Sequence, residues 1–203
     1  MFFYIYYSYI MSESQEKIQI VSFSTNDTNY TPIDILQILL NQYTHTVIKK
    51  SRHAIAFMMA LPDSIKQTKI MMCSVLNLTK EYTGITDVNC YLIFIDLKKE
   101  NSKETFNLII SFLKDYCDLG KKIFVLGIVN KDNDIKQIIS EKYIINIMDS
   151  GNFIYEYIEI DLEKTKEVAD SFLNIFIKCS KEEAIEDNKI EKDGKQAHSC
   201  NVF

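Results

Sequence analysis

The sequence predicts an α/β fold: a six-stranded, mostly parallel sheet with helices on both faces. Three observations carry this expectation. From Lys17 onward, strand-like runs alternate with runs of helical periodicity. Two of the strand-like runs, VNCYLIFIDL (88–97) and KKIFVLGIV (121–129), are nearly unbroken apolar stretches of the kind buried on both faces of a parallel sheet. A chain of 203 residues that is 47% hydrophobic and 25% charged is long and apolar enough for one well-buried domain.

Taken in order, KIQIVSF opens the sheet. PIDILQILLNQY follows as a helix, with Pro32 suited to the first turn and Ile35, Leu36, Leu39 and Leu40 at helical spacing. HAIAFMMAL and TKIMMCSVL read as a hairpin around the turn signal PDSIKQ. After the buried strand at 88–97, ETFNLIISFLKDYC reads as an amphipathic helix, KKIFVLGIV as a strand and DIKQIISEKY as a short helix. FIYEYIEI is the last strand. The helix EKTKEVADSFLNIFIKC closes the fold, with Val168, Phe172, Leu173, Phe176 and Ile177 on one apolar face. The expected order is βαβββαβαβα, with strands near 18–23, 52–61, 67–76, 88–97, 121–129 and 153–160 and only the second antiparallel to the rest.

Composition removes several function classes. A net charge of −5, with 23 lysines and arginines and no basic stripe, argues against a nucleic-acid partner. Five cysteines without CxxC spacing read as reduced cytosolic thiols, and the three histidines lie near no paired cysteines, so no metal site is expected. Residues 1–16 read as an extension outside the fold. Their opening MFFYIYYSYIM is apolar but far shorter than the roughly 20 residues a membrane span needs. It also lacks the basic start and small-residue cleavage site of a signal peptide, and translation from Met11 is an alternative to Met1. Residues 17–180 form the expected domain and 181–203 a charged, flexible tail.

Order and lengths together resemble the G domain of Ras-superfamily small GTPases. YTHTVIKKSRHAIAF is similar to the family's effector loop running into its second strand, which places Thr46 at the family's magnesium-binding switch threonine. DVNCYLIFIDLKKENSKETFNLIISFL resembles the strand and helix after the second switch, with Asp96 and the 102–106 segment in the family's style. KKIFVLGIVNKD resembles the strand that delivers the guanine-recognition motif.

The resemblance implies a degenerate member. In VSFSTNDTNYTPIDILQ, Ser22 and Asp27 stand where the first and last phosphate-loop glycines belong, Thr28 where the lysine belongs and Asn29 where the Ser/Thr belongs. A phosphate loop works through glycine backbone N–H groups, a lysine on the β/γ oxygens and a hydroxyl on Mg²⁺. No lysine or arginine lies between Lys17 and Lys49. Where the second switch would carry its Asp, Gly and Gln, the chain has Ser74, Asn77 and Leu78. The guanine motif is displaced to Asn130 and Lys131 and ends in Asn133, and the last base-contacting loop falls on Asp161, Leu162 and Glu163. Thr28, Asn29, Thr46, Asn130 and Lys131 are therefore the candidate nucleotide contacts, no catalytic residue is expected, and GTP or GDP with Mg²⁺ is the alternative to no cofactor at all. Thr46, Lys49, Lys50 and Arg52 form a possible effector surface, basic where the family's is acidic.

The chain closes on Cys200-Asn201-Val202-Phe203, a C-a-a-X pattern whose Phe points toward geranylgeranylation of Cys200. One lipid gives only marginal membrane binding. The tail's lysines are offset by Glu182, Glu183, Glu186, Asp187, Glu191 and Asp193, so no polybasic patch reinforces it. The expected protein is a prenylated, small-GTPase-like interaction module on the cytoplasmic face of a membrane, with protein partners and without GTP binding. The alternative is a divergent GTPase that binds and slowly hydrolyses GTP in trafficking or signalling.

Overall fold

A computed structural model of the chain describes residues 16–25, 30–62, 64, 67–75, 78, 87–117, 120–129 and 137–180. The ordered elements are β1 (Lys17–Ser24), α1 (Pro32–Gln42), β2 (His45–Lys50), β3 (Ala54–Ala60), β4 (Gln67–Val75) and β5 (Cys90–Asp96), then α2 (Asn101–Tyr116), β6 (Lys122–Val129), α3 (Glu141–Ser150) and β7 (Tyr155–Asp161). A final helix, α4, spans 165–180.

The strands form one seven-stranded sheet in the order β2-β3-β4-β1-β5-β6-β7. β4, β1, β5, β6 and β7 pair in parallel, while β3 pairs antiparallel with both β2 and β4. β3 is thus the one strand reversed against the rest, as the sequence leads one to expect. The strand count needs correction from six to seven. His45–Lys50, read from the sequence as an effector loop, is an edge strand with a bulge between Val47 and Lys49. Pairing on one side only leaves Thr46 to Lys50 exposed, so the segment HTVIKK carries no alternating apolar signal.

Successive strand residues point to opposite faces, and here both faces are buried. On one face, Ile18 and Ile20 of β1 join Ile55 and Phe57 of β3 and Leu92 and Phe94 of β5 beneath α1 and α4. On the other, Val21 and Phe23 of β1 join Ile93 and Ile95 of β5 and Val125 of β6 beneath α2 and α3. Helices on both faces are therefore observed. The third helix lies later than DIKQIISEKY. The Ile138 and Ile139 N–H groups bond to Leu97 O, and the helix starts only where the Ser140 side chain accepts from Tyr143 N.

One close approach in the sheet is sensitive to a single methyl group. A Cβ built on Gly127 in β6 would lie 2.6 Å from the Tyr157 hydroxyl and 2.9 Å from Leu97 Cδ1. Tyr157 is held by its hydrogen bond to Glu159. Burial first, and the neighbouring carboxylate second, push its phenol well above the ordinary value, so the ring stays neutral and packed. Gly127→Ala is expected to cost about 1–3 kcal/mol in urea unfolding, the usual range for overpacking. In a double-mutant cycle, Tyr157→Ala should relieve most of that cost. Additive losses would show that Tyr157 is not the obstacle.

Candidate functional site

In open α/β sheets, ligands gather outside the carboxyl ends of the parallel strands. Here that end is formed by Ser24 and Thr25 after β1, Val75 of β4, Asp96 of β5 and Val129 of β6. α1 runs back from it: β1 rises to this end, and α1 descends to β2, whose Thr46 pairs with Met58 and, through it, Lys69 near the opposite end.

The residues at this end are bonded to one another. Thr25 is fully buried, and its N–H donates to Phe94 O at 3.1 Å. Its hydroxyl accepts from Asp96 N at 3.4 Å and from Ser102 Oγ, itself buried, at 3.1 Å. The Asp96 carboxylate accepts from Lys98 N at 3.0 Å, ordering the turn into α2. Ser22 Oγ donates to Cys73 O at 3.3 Å. Ser74 is buried with its hydroxyl unpartnered, and so is Nδ1 of His53, whose carbonyl accepts from Ser74 N at 2.7 Å. Each of these two orphan atoms costs free energy, about 1–3 kcal/mol, and neither touches solvent.

The start of α1 is closed by its own side chains. Thr31 is the N-cap: its hydroxyl accepts from Asp34 N at 3.2 Å, while the Asp34 carboxylate accepts from Thr31 N at 2.9 Å and from Thr31 Oγ1 at 2.8 Å. This is a reciprocal capping box with aspartate in the third helical position. The Thr31 backbone and side-chain hydrogen bonds, with a smaller contribution from Lys50, hold the Asp34 carboxyl below its usual range, although burial opposes them. A negative charge therefore sits on the positive end of the α1 dipole, where a phosphate would otherwise be favoured.

Of the candidate nucleotide contacts, Thr46 alone lies among the described residues, and it is not at this end. Thr46 lies on edge strand β2, on the same face as Lys49, and its register neighbours are far from the carboxyl strand ends. Lys49 and Lys50 are exposed on β2, and Lys50 Nζ donates to Gln37 Oε1 at 2.8 Å. Arg52 is exposed in the turn to β3. Thr28, Asn29, Asn130, Lys131 and Cys200 lie outside the described residues, as do Asp27, Asn77 and most of the second-switch segment. Among the described residues, no group of three or more His, Cys, Asp or Glu side chains is placed to hold a metal ion. No helix among them is long and apolar enough to cross a membrane. Cys73, Cys90, Cys117 and Cys179 form no disulfide, and Cys179, near the end of α4, is buried in the core.

Asp34 is the residue that sequence reading misses. Its signal was present, since Thr31-Pro32-Ile33-Asp34 has a cap hydroxyl followed three residues later by an acid. No protein-family model matches the chain, and no curated protein matches it significantly.

Proposed function

We propose that the chain is a small-GTPase-like, prenylated interaction module that works at the cytoplasmic face of a membrane without binding or hydrolysing GTP. The observation that carries the nucleotide-free reading is the capping box of α1. A phosphate at that helix start would have to displace the Asp34 carboxylate from Thr31 N, with no lysine or arginine in the preceding segment to compensate. Support for the small-GTPase likeness comes from the strand order, in which a single reversed strand, β3, precedes the parallel set and the helices divide between the two faces.

A module of this kind works through protein surfaces, and nucleotide enters neither its stability nor its contacts. A ligand that binds only the folded state stabilises it by an amount that grows with concentration over Kd, about 2.7 kcal/mol at a hundredfold excess. Millimolar GTP, GDP or Mg²⁺ is therefore expected to leave the melting temperature unchanged, and no nucleotide should copurify. Thr28→Lys alone should not create binding, because Asp34 still closes the helix start. A rise of several degrees with GTP and none with ATP would instead establish the divergent GTPase.

A further inference from the structure

The sheet ends in two strands of opposite charge. β2 carries His45, Lys49 and Lys50 and leads into Arg52, whereas β7 carries Glu156, Glu159 and Asp161. Among the described residues each pairs with a single neighbour, so each presents an outer edge there. An edge strand is a template for another strand, and lysines and a bulge on an edge normally discourage it. They discourage basic edges from meeting each other. The lysines do not discourage an acidic edge.

We propose that these two edges are complementary halves of one interface, and that the partner of β2 is β7 of a second copy of this chain. The pairing rests on the interaction-module reading and names its partner. The two strands run in the same sense, since β2 and β4 are each antiparallel to β3 and β4 through β7 are parallel. Set side by side, His45 falls beside Glu156, which is already paired with Lys122 and Lys178 of its own copy, while Thr46 meets Tyr157 and Val47 meets Ile158. The bulge absorbs Ile48, after which Lys49 meets Glu159 and Lys50 meets Ile160.

Every one of these pairs lies on matching faces. Val47 and Lys50 pair with Phe57 and Ile55 on the α1/α4 face, the side on which Ile158 and Ile160 pack. Thr46 and Lys49 pair with Met58 and Ala56 on the opposite face, that of Tyr157. Without the bulge, Lys49 would fall on the face of Ile158 and Ile160, away from Glu159. The buried cluster of the α2/α3 face takes nothing from β2 or β3, leaving Ala56 and Met58 of β3 and Met71 of β4 only half-buried on that face. The contact joins different surfaces of two copies, so it extends into open chains instead of closing as a two-fold dimer.

Sedimentation velocity of the full 203-residue chain across a concentration series tests this. At low salt, dimers and larger species are expected to grow with concentration. They should revert to monomer near 1 M NaCl, where the screening length falls to about 3 Å. Lys49→Glu and Glu159→Lys should each abolish association while keeping the wild-type melting temperature. The chain carrying both substitutions should associate again, because its edges are exchanged in sign. Should Glu159→Lys destabilise the fold, hydrogen exchange of wild-type β2 and β7 amides at high and low concentration gives the second reading, both strands gaining protection together. A chain that stays monomeric at every concentration overturns the proposal, as does association that Lys49→Glu removes and Glu159→Lys spares. Neither of those results bears on nucleotide independence, which the thermal-shift measurement decides separately.

Discussion

Replacing Phe172 with alanine is expected to lower the unfolding free energy by about 3–5 kcal/mol, the range for deleting a buried aromatic ring. Phe172 is fully buried and sits at the centre of the contact between α4 and the sheet. Its ring centroid lies 6.1 Å from that of Phe94 on β5 and 6.2 Å from that of Phe176, which in turn lies 6.2 Å from Phe57 on β3. This row of rings spans the sheet from β5 to β3. The polar ties of α4 to its surroundings include Tyr43 to Asp170 and Lys178 to Glu156. Because Lys178 and Glu156 are partly exposed, solvent weakens their attraction, and the apolar face carries most of the attachment. A domain of this size has a total stability of about 5–15 kcal/mol, so the loss is a large share of it. Urea unfolding should show a lower midpoint with an unchanged slope. A loss under about 1 kcal/mol would mean that α4 does not hold the sheet through this row.

How well each part can be read in the sequence follows from how many neighbours it has. Strands β5 and β6 are covered on both faces, so their interiors are apolar almost without interruption and visible at once, while β1 shows the same burial with Gln19 and Ser22 among its apolar residues. β3 and β4 are framed by Pro62 and by apolar residues that recur at every second position, Ile55, Phe57 and Met59 among them. β2 has one strand neighbour and a bulge, and it displays threonine and lysine to solvent, so nothing in HTVIKK separates it from a loop. α3 was misplaced for a different reason. The IKQII of DIKQIISEKY has helical character, but Ile138 and Ile139 are tied by their backbones to Leu97, some forty residues earlier, and no local pattern reports such a bond.

The candidate site is legible only in part, on the same grounds. Its missing lysine and glycines are a matter of composition and can be counted. How the end of β1 is held depends on long-range contacts such as Ser102 to Thr25, 77 residues apart, which composition does not reveal. The Thr31–Asp34 box lies between these cases, being local and written in four consecutive residues. An aspartate there supports the helix and repels an anion through one charge. On the proposed reading, those two effects would let the sheet stand without a nucleotide.

The second large effect is expected at the tail. Expressed as the 203-residue chain in cells that prenylate, Cys200→Ser should move the protein from the membrane pellet to the soluble fraction. A thioether-linked lipid contributes about 0.8 kcal/mol for each methylene it buries, and the serine side chain cannot carry it. Cys179 is the nearest cysteine, but on the buried face of α4 it is 2% exposed, so it cannot supply a second acyl chain without unfolding the end of that helix. The tail's lysines are matched by acids, so electrostatics add little. Membrane binding through this one group is then weak and reversible, and the unsubstituted protein should divide between pellet and supernatant instead of pelleting entirely. Cys179→Ser provides the contrast: it should leave the partition unchanged while lowering stability, because it places a hydroxyl in an apolar cluster. If Cys200→Ser fractionates like the unsubstituted chain, attachment through Cys200 is wrong and MFFYIYYSYIM becomes the segment to delete next. If Cys179→Ser releases the protein instead, the end of α4 must open at the membrane surface, and the buried position of that cysteine would describe only the form in solution.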